Sequence, residues 1–388
     1  MPFPRFAWGS GEECSAPTVH HEGAVVRVDE MESTGHYRNM DLDLALAAGL
    51  GVDVWRYGIP WHRVETAPGC YDWELWDRAL AGCRREGLEP VIDLCHFGLP
   101  DHYGGFSDPG WVEGLVDYAE AFLARYPDPT LFTPVNEPLA TAGVSCLYGQ
   151  WNDRLSDVDA YARALAHCIR ADLEVAAMVR ADRDGWNVSA EVFLVPVVLD
   201  EAARGGAEKL AARVRAPWDL RLGHEVDPLV AHEFRTVPEA EMERIAELAG
   251  PENFIAGHDF YPTSALPMGG SPGIELTVDE RLDAYAAAAS EFHQRYGVDF
   301  WVSETSCLGL GPDRAEEWLT GMTDRLKAMV AEGVGVRGLC WYSRGDQHDW
   351  DTMLVPPVQQ VTEVGLYDLD RNERPVADLL RRLAREFP

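Results

Sequence analysis

Two glutamates end runs of apolar residues: Glu137 follows Asn136 in LFTPVNEP, and Glu304 closes DFWVSET. A carboxylate delivered by a buried strand costs free energy unless it is paired or functional. The bland alternative is an ion pair at the rim of the fold. Two such glutamates, one with an amide beside it, favour chemistry. A carboxylate pair suits cleavage of a glycosidic bond. One carboxylic acid protonates the leaving oxygen, and one carboxylate attacks the anomeric carbon or activates water. The two groups need different surroundings to hold different protonation states at one pH. Arg56 could supply part of that difference, because a nearby positive charge keeps a neighbouring glutamate ionised. Its other reading is a structural salt bridge.

The elements that must position these groups are short apolar runs. Strands are expected at Phe6–Trp8, Val52–Ile59, Pro90–His96, Leu131–Asn136, Asn187–Leu194, Phe254–Tyr261, Phe300–Glu304 and Gly338–Ser343. Their continuous apolar character fits strands covered on both faces. Helical patterns lie between them, at Glu74–Glu86, Val112–Arg125, Asp157–Arg180, Val278–Tyr296 and Ala315–Glu332, with a last one at Val376–Glu386. Alternating strands and helices imply parallel βαβ units, and eight of them describe a (β/α)8 barrel. The chain is therefore read as one α/β domain over residues 1–388, with extra helices around 200–250. A doubly wound open sheet is the fold alternative, and no Gly-rich phosphate turn follows the first strand to support it.

In a barrel, functional groups gather where strands end. The expected ends carry Arg56, His96-Phe97, Asn136-Glu137, Asp259-Phe260-Tyr261, Ser303-Glu304 and Tyr342-Ser343, then Asp346, Asp349 and Trp350. Charged groups and aromatic faces together suit a sugar, whose hydroxyls take hydrogen bonds and whose apolar face stacks on a ring. Trp61, Trp73 and Trp76 are expected in the core, and His20, His21 and His102 on surface loops. Leu44 and Leu46 belong to a helix stripe.

Composition narrows the partners. The formal net charge is −32, with lysine only at positions 209 and 327. Such a chain repels nucleic acid and anionic lipid. No apolar stretch is long enough to span a membrane, and MPFPRFAWGSGEE lacks the pattern of a secretory signal, so a cytoplasmic location is expected. The eight cysteines form no CxxC or Cys/His cluster, so buried thiols are expected and neither a metal nor a cofactor. Nothing in the sequence sets an oligomeric state.

In order along the chain, FAWG, RYGIPWHRV, HFGLPDHYGGF, VNEP, GHDFY, VSET, SRGDQHDW and VGLYDLDRNERPV resemble the strand and loop motifs of glycoside hydrolase family 1, the β-glucosidase type. The resemblance implies a (β/α)8 barrel and metal-free hydrolysis of small glycosides with retention. It makes Glu137 the acid/base and Glu304 the nucleophile of a covalent glycosyl-enzyme. It places Arg56, His96, Asn136 and Tyr261 around the departing glycosyl group, with Asn136 on the 2-hydroxyl. A transglycosidase, or a related barrel family with the same Glu pair, is the enzyme alternative. A non-catalytic sugar-binding barrel is the alternative of another class.

The departures from that pattern fall on the shell that reads the sugar. Glu13 stands near the place of a usual glutamine, and Asp259 replaces an asparagine. Tyr342 replaces the tryptophan platform. Asp349, before Trp350, replaces a glutamate that reads hydroxyls on C4 and C6. The lysine of the phospho-glucosidase subgroup is missing after Trp350, which disfavours phosphorylated sugars. The altered shell implies preference for a sugar that differs from glucose at C4 or C6.

Overall fold

The computed structural model describes every residue except Met1, Pro4, Pro272 and Pro388. Eight strands run parallel around a closed circle. They are β1 (Ala7–Gly11), β2 (Val54–Gly58), β3 (Pro90–Asp93), β4 (Leu131–Thr133), β5 (Trp186–Val188, resuming at Glu191–Val192), β6 (Phe254–Asp259), β7 (Phe300–Thr305) and β8 (Val336–Trp341). Each pairs with its chain neighbour, for example Trp55 with Pro90 and Leu131 with Trp186. Closure comes from β1 against β8, where Ala7 faces Gly338 and Ser10 faces Trp341. This is the (β/α)8 barrel expected from the alternation of apolar runs and helices.

Side-chain period two divides each strand between two cores. Val54, Val91, Leu131, Val188, Ile255 and Trp301 fill the barrel interior. Trp55 and Tyr57, alternating with Val54 and Arg56, face the helices instead. Trp61 and Trp73 pack against Tyr118, and Trp76 against Phe122, all outside the barrel. His20 and His102 are exposed, and His21 is half-buried.

Two strands differ from expectation for local reasons. β1 extends to Gly11 because its glycines permit close approach. A Cβ on Gly11 would lie 2.7 Å from the Tyr342 ring and 2.8 Å from the Arg56 carbonyl. β5 is interrupted at Ser189, where the Gly257 amide donates to Ser189 Oγ at 3.0 Å. Here a side chain takes over one rung of the ladder. Loop hairpins formed by Thr18–His21 with Ala24–Arg27, and by Gln347–His348 with Val361–Thr362, lie outside the sequence expectation.

The helices follow the amphipathic patterns closely. Asp157 caps the helix Val158–Arg183 by accepting from the Ala160 amide, and Thr277 with Glu280 forms a reciprocal capping box on Val278–Tyr296. The 200–250 segment supplies the helices Arg204–Leu222 and Glu239–Leu248. Among the described residues no helix is long and apolar enough to cross a membrane. All eight cysteines are unpaired, and only Cys70 is exposed.

Candidate active site

The inward positions at the C-terminal ends of β2, β3, β4 and β7 meet in one hydrogen-bonded ring. Arg56, on β2, is 1% exposed. Its Nη1 donates to Glu304 Oε1, and its Nη2 donates to Asn136 Oδ1 at 2.7 Å and Asp93 Oδ2 at 3.1 Å. One guanidinium thus ties three strands together. Its planar fork suits this, because several donors are held in fixed geometry. Asp93 also binds His96 Nδ1 at 2.9 Å, and Asn136 Nδ2 lies 3.1 Å from His96 Nε2. The consistent assignment has His96 donating from Nδ1 to Asp93 and accepting at Nε2 from Asn136. Asp93 is thereby the group that orients both Arg56 and His96, and the sequence reading did not single it out. Its signal was present, as an acid directly after the apolar pair Val91-Ile92 and three before a histidine.

Glu304 is gripped on both oxygens. Besides Arg56 on Oε1, Tyr261 Oη donates to Oε2 at 2.6 Å. Glu137 sits differently. It occupies the left-handed region at φ 40°, between β4 and the short helix Pro138–Ala142. That conformation costs a non-glycine residue on the order of 1–2 kcal/mol. Its amide donates to the Ala190 carbonyl at 3.0 Å, which fixes it to β5. Burial, then the charges of Asp259 and Glu304, push the Glu137 carboxyl well above the usual carboxylate range.

Asp259, at the end of β6, completes a cluster. Carboxylate oxygens of Glu137, Asp259 and Glu304 lie within 4.8 Å of one another. Asp259 is fully buried and accepts from Ser303 Oγ at 2.5 Å through Oδ1. Its Oδ2 has no hydrogen-bond partner among the described residues. Burial and the Glu304 charge push its pKa up to about 8. Two further groups of side chains approach closely enough to share a cation, Cys14–Asp93–His96 and Glu12–His36–Asp43. Arginine already supplies positive charge beside each set: Arg56 on Asp93 and Glu304, and Arg344 on Glu12 and Asp43.

Above this ring lies a cavity of about 370 Å³, lined by Glu13, His96, Glu137, Tyr261, Glu304, Gln347 and Trp350 together with many apolar side chains. Glu13 accepts from the Ser15 amide at 2.8 Å and from Gln347 Nε2 at 3.1 Å. Burial pushes its carboxyl upward. Trp350 contributes an indole whose Nε1 is buried and unpartnered among the described residues. Tyr342 lies lower: its ring stacks parallel to His96 at 6.2 Å, and its hydroxyl donates to the Glu12 carbonyl at 2.9 Å.

Asp349 is not brought to the cavity wall. Its Oδ2 accepts from the Gln359 amide at 2.7 Å and its Oδ1 from the Gln360 amide at 2.8 Å. Both oxygens are spent on folding the loop that carries Trp350 and Met353. The expectation that Asp349 reads sugar hydroxyls is corrected accordingly. Gln347, two residues earlier and opposite Glu13, occupies the wall instead. No pattern within either segment announces that pair, because it forms only when β1 and β8 close the barrel.

The family description "Glycosyl hydrolase family 1" matches residues 11–229. The chain is 34% identical over 106 residues to an aryl-phospho-β-D-glucosidase of Bacillus subtilis, an alignment covering 25% of this chain and 22% of that one. It is 26% identical over 368 residues to a β-glucosidase of Agrobacterium sp., covering 81% and 77%. The chain thus spans about a fifth of the first relative and about three quarters of the second. The family 1 β-glucosidase structure from Thermotoga maritima superposes with a TM-score of 0.82 at 15% identity, over 98% of this chain and 97% of that one. With more than half of its residues matched by the family and its barrel shared with that structure, the chain belongs to glycosyl hydrolase family 1.

Proposed function

We propose that the protein is a retaining, exo-acting β-glycosidase of small glycosides, organised as one catalytic domain, with Glu304 as nucleophile and Glu137 as acid/base. The observation that carries the reading is the approach of their carboxylate oxygens to within 4.8 Å. Retaining enzymes hold the two carboxyls about 5–5.5 Å apart, whereas inverting ones leave about 6.5–9.5 Å for a water.

The groups divide the work. A Glu304 oxygen attacks the anomeric carbon while Tyr261 and Arg56 hold the carboxylate in line. Glu137, kept protonated by burial and by Asp259, gives its proton to the glycosidic oxygen as that bond breaks, and the alcohol departs. Water then opens the glycosyl ester. Glu137, now ionised, takes the water proton, and Glu304 is released. Asn136, positioned by Arg56 and His96, lies beside Glu137 to meet the 2-hydroxyl, where hydrogen bonds strengthen in the transition state. Glu13, Gln347 and the Trp350 indole supply the remaining polar contacts to the sugar.

Replacement separates the roles. Glu304→Gly should abolish turnover, and azide should restore it with the inverted glycosyl azide as product. Glu137→Ala should spare dinitrophenyl glycosides, whose leaving group needs little protonation, and azide should rescue it with retention. Proton NMR of the first-formed sugar from the wild type decides the stereochemistry. An inverted product would remove Glu304 from the nucleophile role.

A further inference from the structure

A third glutamate is buried at the end of a barrel strand, and the two-carboxyl reaction does not use it. Glu191 stands in NVSAEVFL, where β5 resumes, and is 2% exposed. An acid buried in apolar sequence costs free energy that its partners must offset. Those partners are backbone amides. Oε1 accepts from the Val192 amide at 2.9 Å and the Leu139 amide at 3.2 Å, and Oε2 accepts from the Leu139 amide at 3.1 Å. The Val192 bond fixes the side chain against its own strand. That strand is paired to β6, Glu191 with His258 and Val192 with Asp259. Leu139 lies in the short helix Pro138–Ala142, which follows Glu137 directly.

We infer that Glu191 is a positioning residue for the acid/base: it clamps the Leu139 amide and so keeps Glu137 aimed at the glycosidic oxygen. The inference rests on the role given above to Glu137. Glu137 holds a left-handed backbone conformation at φ 40°, which a residue other than glycine keeps only where its surroundings hold it there. Pro138 lacks an N–H, so the amides on either side of it tie this turn to the next strand. Consecutive residues of β5 take them. The Ala190 carbonyl accepts from the Glu137 amide at 3.0 Å, and the Glu191 carboxylate accepts from the Leu139 amide. The Thr141 amide donates to the Glu137 carbonyl at 2.8 Å, which couples the helix to Glu137 as one body. Release of the Leu139 amide therefore frees the helix start, and the Glu137 carboxyl shifts with it.

The experiment measures kcat/KM for a phenyl and a dinitrophenyl glycoside of the sugar best cleaved in a nitrophenyl glycoside panel. The proteins are the wild type, Glu191→Ala, Glu191→Gln and Glu137→Ala. Misplacing a catalytic group by about 1 Å costs about a hundredfold, and for an acid only where the leaving group needs its proton. Glu191→Ala should lower kcat/KM about a hundredfold for the phenyl glycoside and less than about threefold for the dinitrophenyl glycoside. Glu191→Gln loses the same charge but keeps an oxygen that can serve both amides, so its phenyl activity should return to within about fivefold of the wild type. A difference between these two variants thus reads the hydrogen bond and not the charge. If Glu191→Ala does not fold, Glu191→Asp, with its carboxyl drawn back by one methylene, should show the same leaving-group pattern at about tenfold. Equal losses on both substrates, no loss at all, or a glutamine variant as impaired as the alanine one overturns the inference. Glu137→Ala keeps the two readings apart. If it spares the dinitrophenyl glycoside and the Glu191 variants do not, the clamp alone fails. If it impairs both substrates equally, or if the wild type cleaves no nitrophenyl glycoside, the acid role fails and the clamp with it.

Discussion

Replacing Asp259 by asparagine should move the alkaline limb of the activity profile downward. In the proposed mechanism Glu137 must be protonated to assist departure, so that limb marks loss of its proton. Burial contributes most to raising the Glu137 pKa, and the Asp259 charge comes next. Asp259 itself is pushed up to about 8. Two carboxyls this close titrate as a pair, and the last proton leaves against the charge on its partner. At the outer limit of 4.8 Å and an effective dielectric of about 20, like charges repel by about 3.5 kcal/mol, or about 2.5 pH units. The Arg56 guanidinium lowers the Asp259 pKa and so offsets part of this repulsion. A net downward shift of about 1–2 units is expected. Asparagine keeps the shape and the Ser303 contact while removing the charge.

The assay is kcat/KM against pH for a glycoside with a poor leaving group, such as an unsubstituted phenyl glycoside. A dinitrophenyl glycoside serves as the comparison, because its limb should move far less. An unchanged or rising alkaline limb for the phenyl substrate in an active, folded variant would refute the shared-proton argument.

Other consequences are open to direct measurement. Arg56→Met strands buried Glu304, Asp93 and Asn136, so unfolding free energy should fall by about 3–5 kcal/mol in a denaturant titration, with kcat/KM reduced in parallel. An undiminished stability would mean that the ring is not what holds the barrel mouth. Glu30 is buried and held up to about 8, chiefly by desolvation, while accepting the His348 amide at 2.9 Å. With its folded pKa above the unfolded value, its stabilising share is complete below about pH 4.5 and is lost as pH rises through about 8. Glu30→Gln should therefore flatten the decline in stability between pH 5 and 9, with a gap of up to about 5 kcal/mol at the alkaline end. A parallel decline in both proteins would contradict this. Gln347→Ala should alter the ratio of kcat/KM for glucoside, galactoside and xyloside more than Asp349→Asn does. The Asp349 variant should instead lower the melting temperature, by loosening the 349–360 loop.

The barrel was legible because each strand is an apolar run that must be covered on both faces, and each helix keeps one apolar stripe. Val278–Tyr296 and Glu74–Glu86 were placed to the residue, the first with a capping box at Thr277 and Glu280. β1 was misplaced because Gly9, Ser10 and Gly11 read as a turn in isolation. Gly11 is kept small by Tyr342 and Arg56, and Gly9 by Cys340 and Val54, all of which arrive from distant parts of the chain. The break in β5 was invisible for the same reason, since it depends on Gly257 meeting Ser189.

Strand-borne and loop-borne groups differ in how far sequence can place them. Arg56 and Glu304 lie on β2 and β7. Ladder register fixes each at a known height, and period two fixes which way it points. Asn136 and Glu137 follow β4 directly, so the same constraints reach them. Asp349 lies on a loop, at φ 54°, and nothing local decides whether its carboxylate faces a ligand or two backbone amides. In this structure it faces the two amides, of Gln359 and Gln360, which the turn of the 349–360 loop brings to it. With Asp349 committed to the loop, the polar pair on the cavity wall is Glu13 and Gln347, which come from loops after β1 and β8. Their mutual hydrogen bond at 3.1 Å holds the Gln347 amide against the Glu13 carboxylate, leaving a mixed donor and acceptor edge toward the cavity. Such an edge can satisfy either orientation of a hydroxyl. Under the proposed function, sugar preference turns on the spacing of this pair and not on the one-methylene difference between aspartate and glutamate at 349.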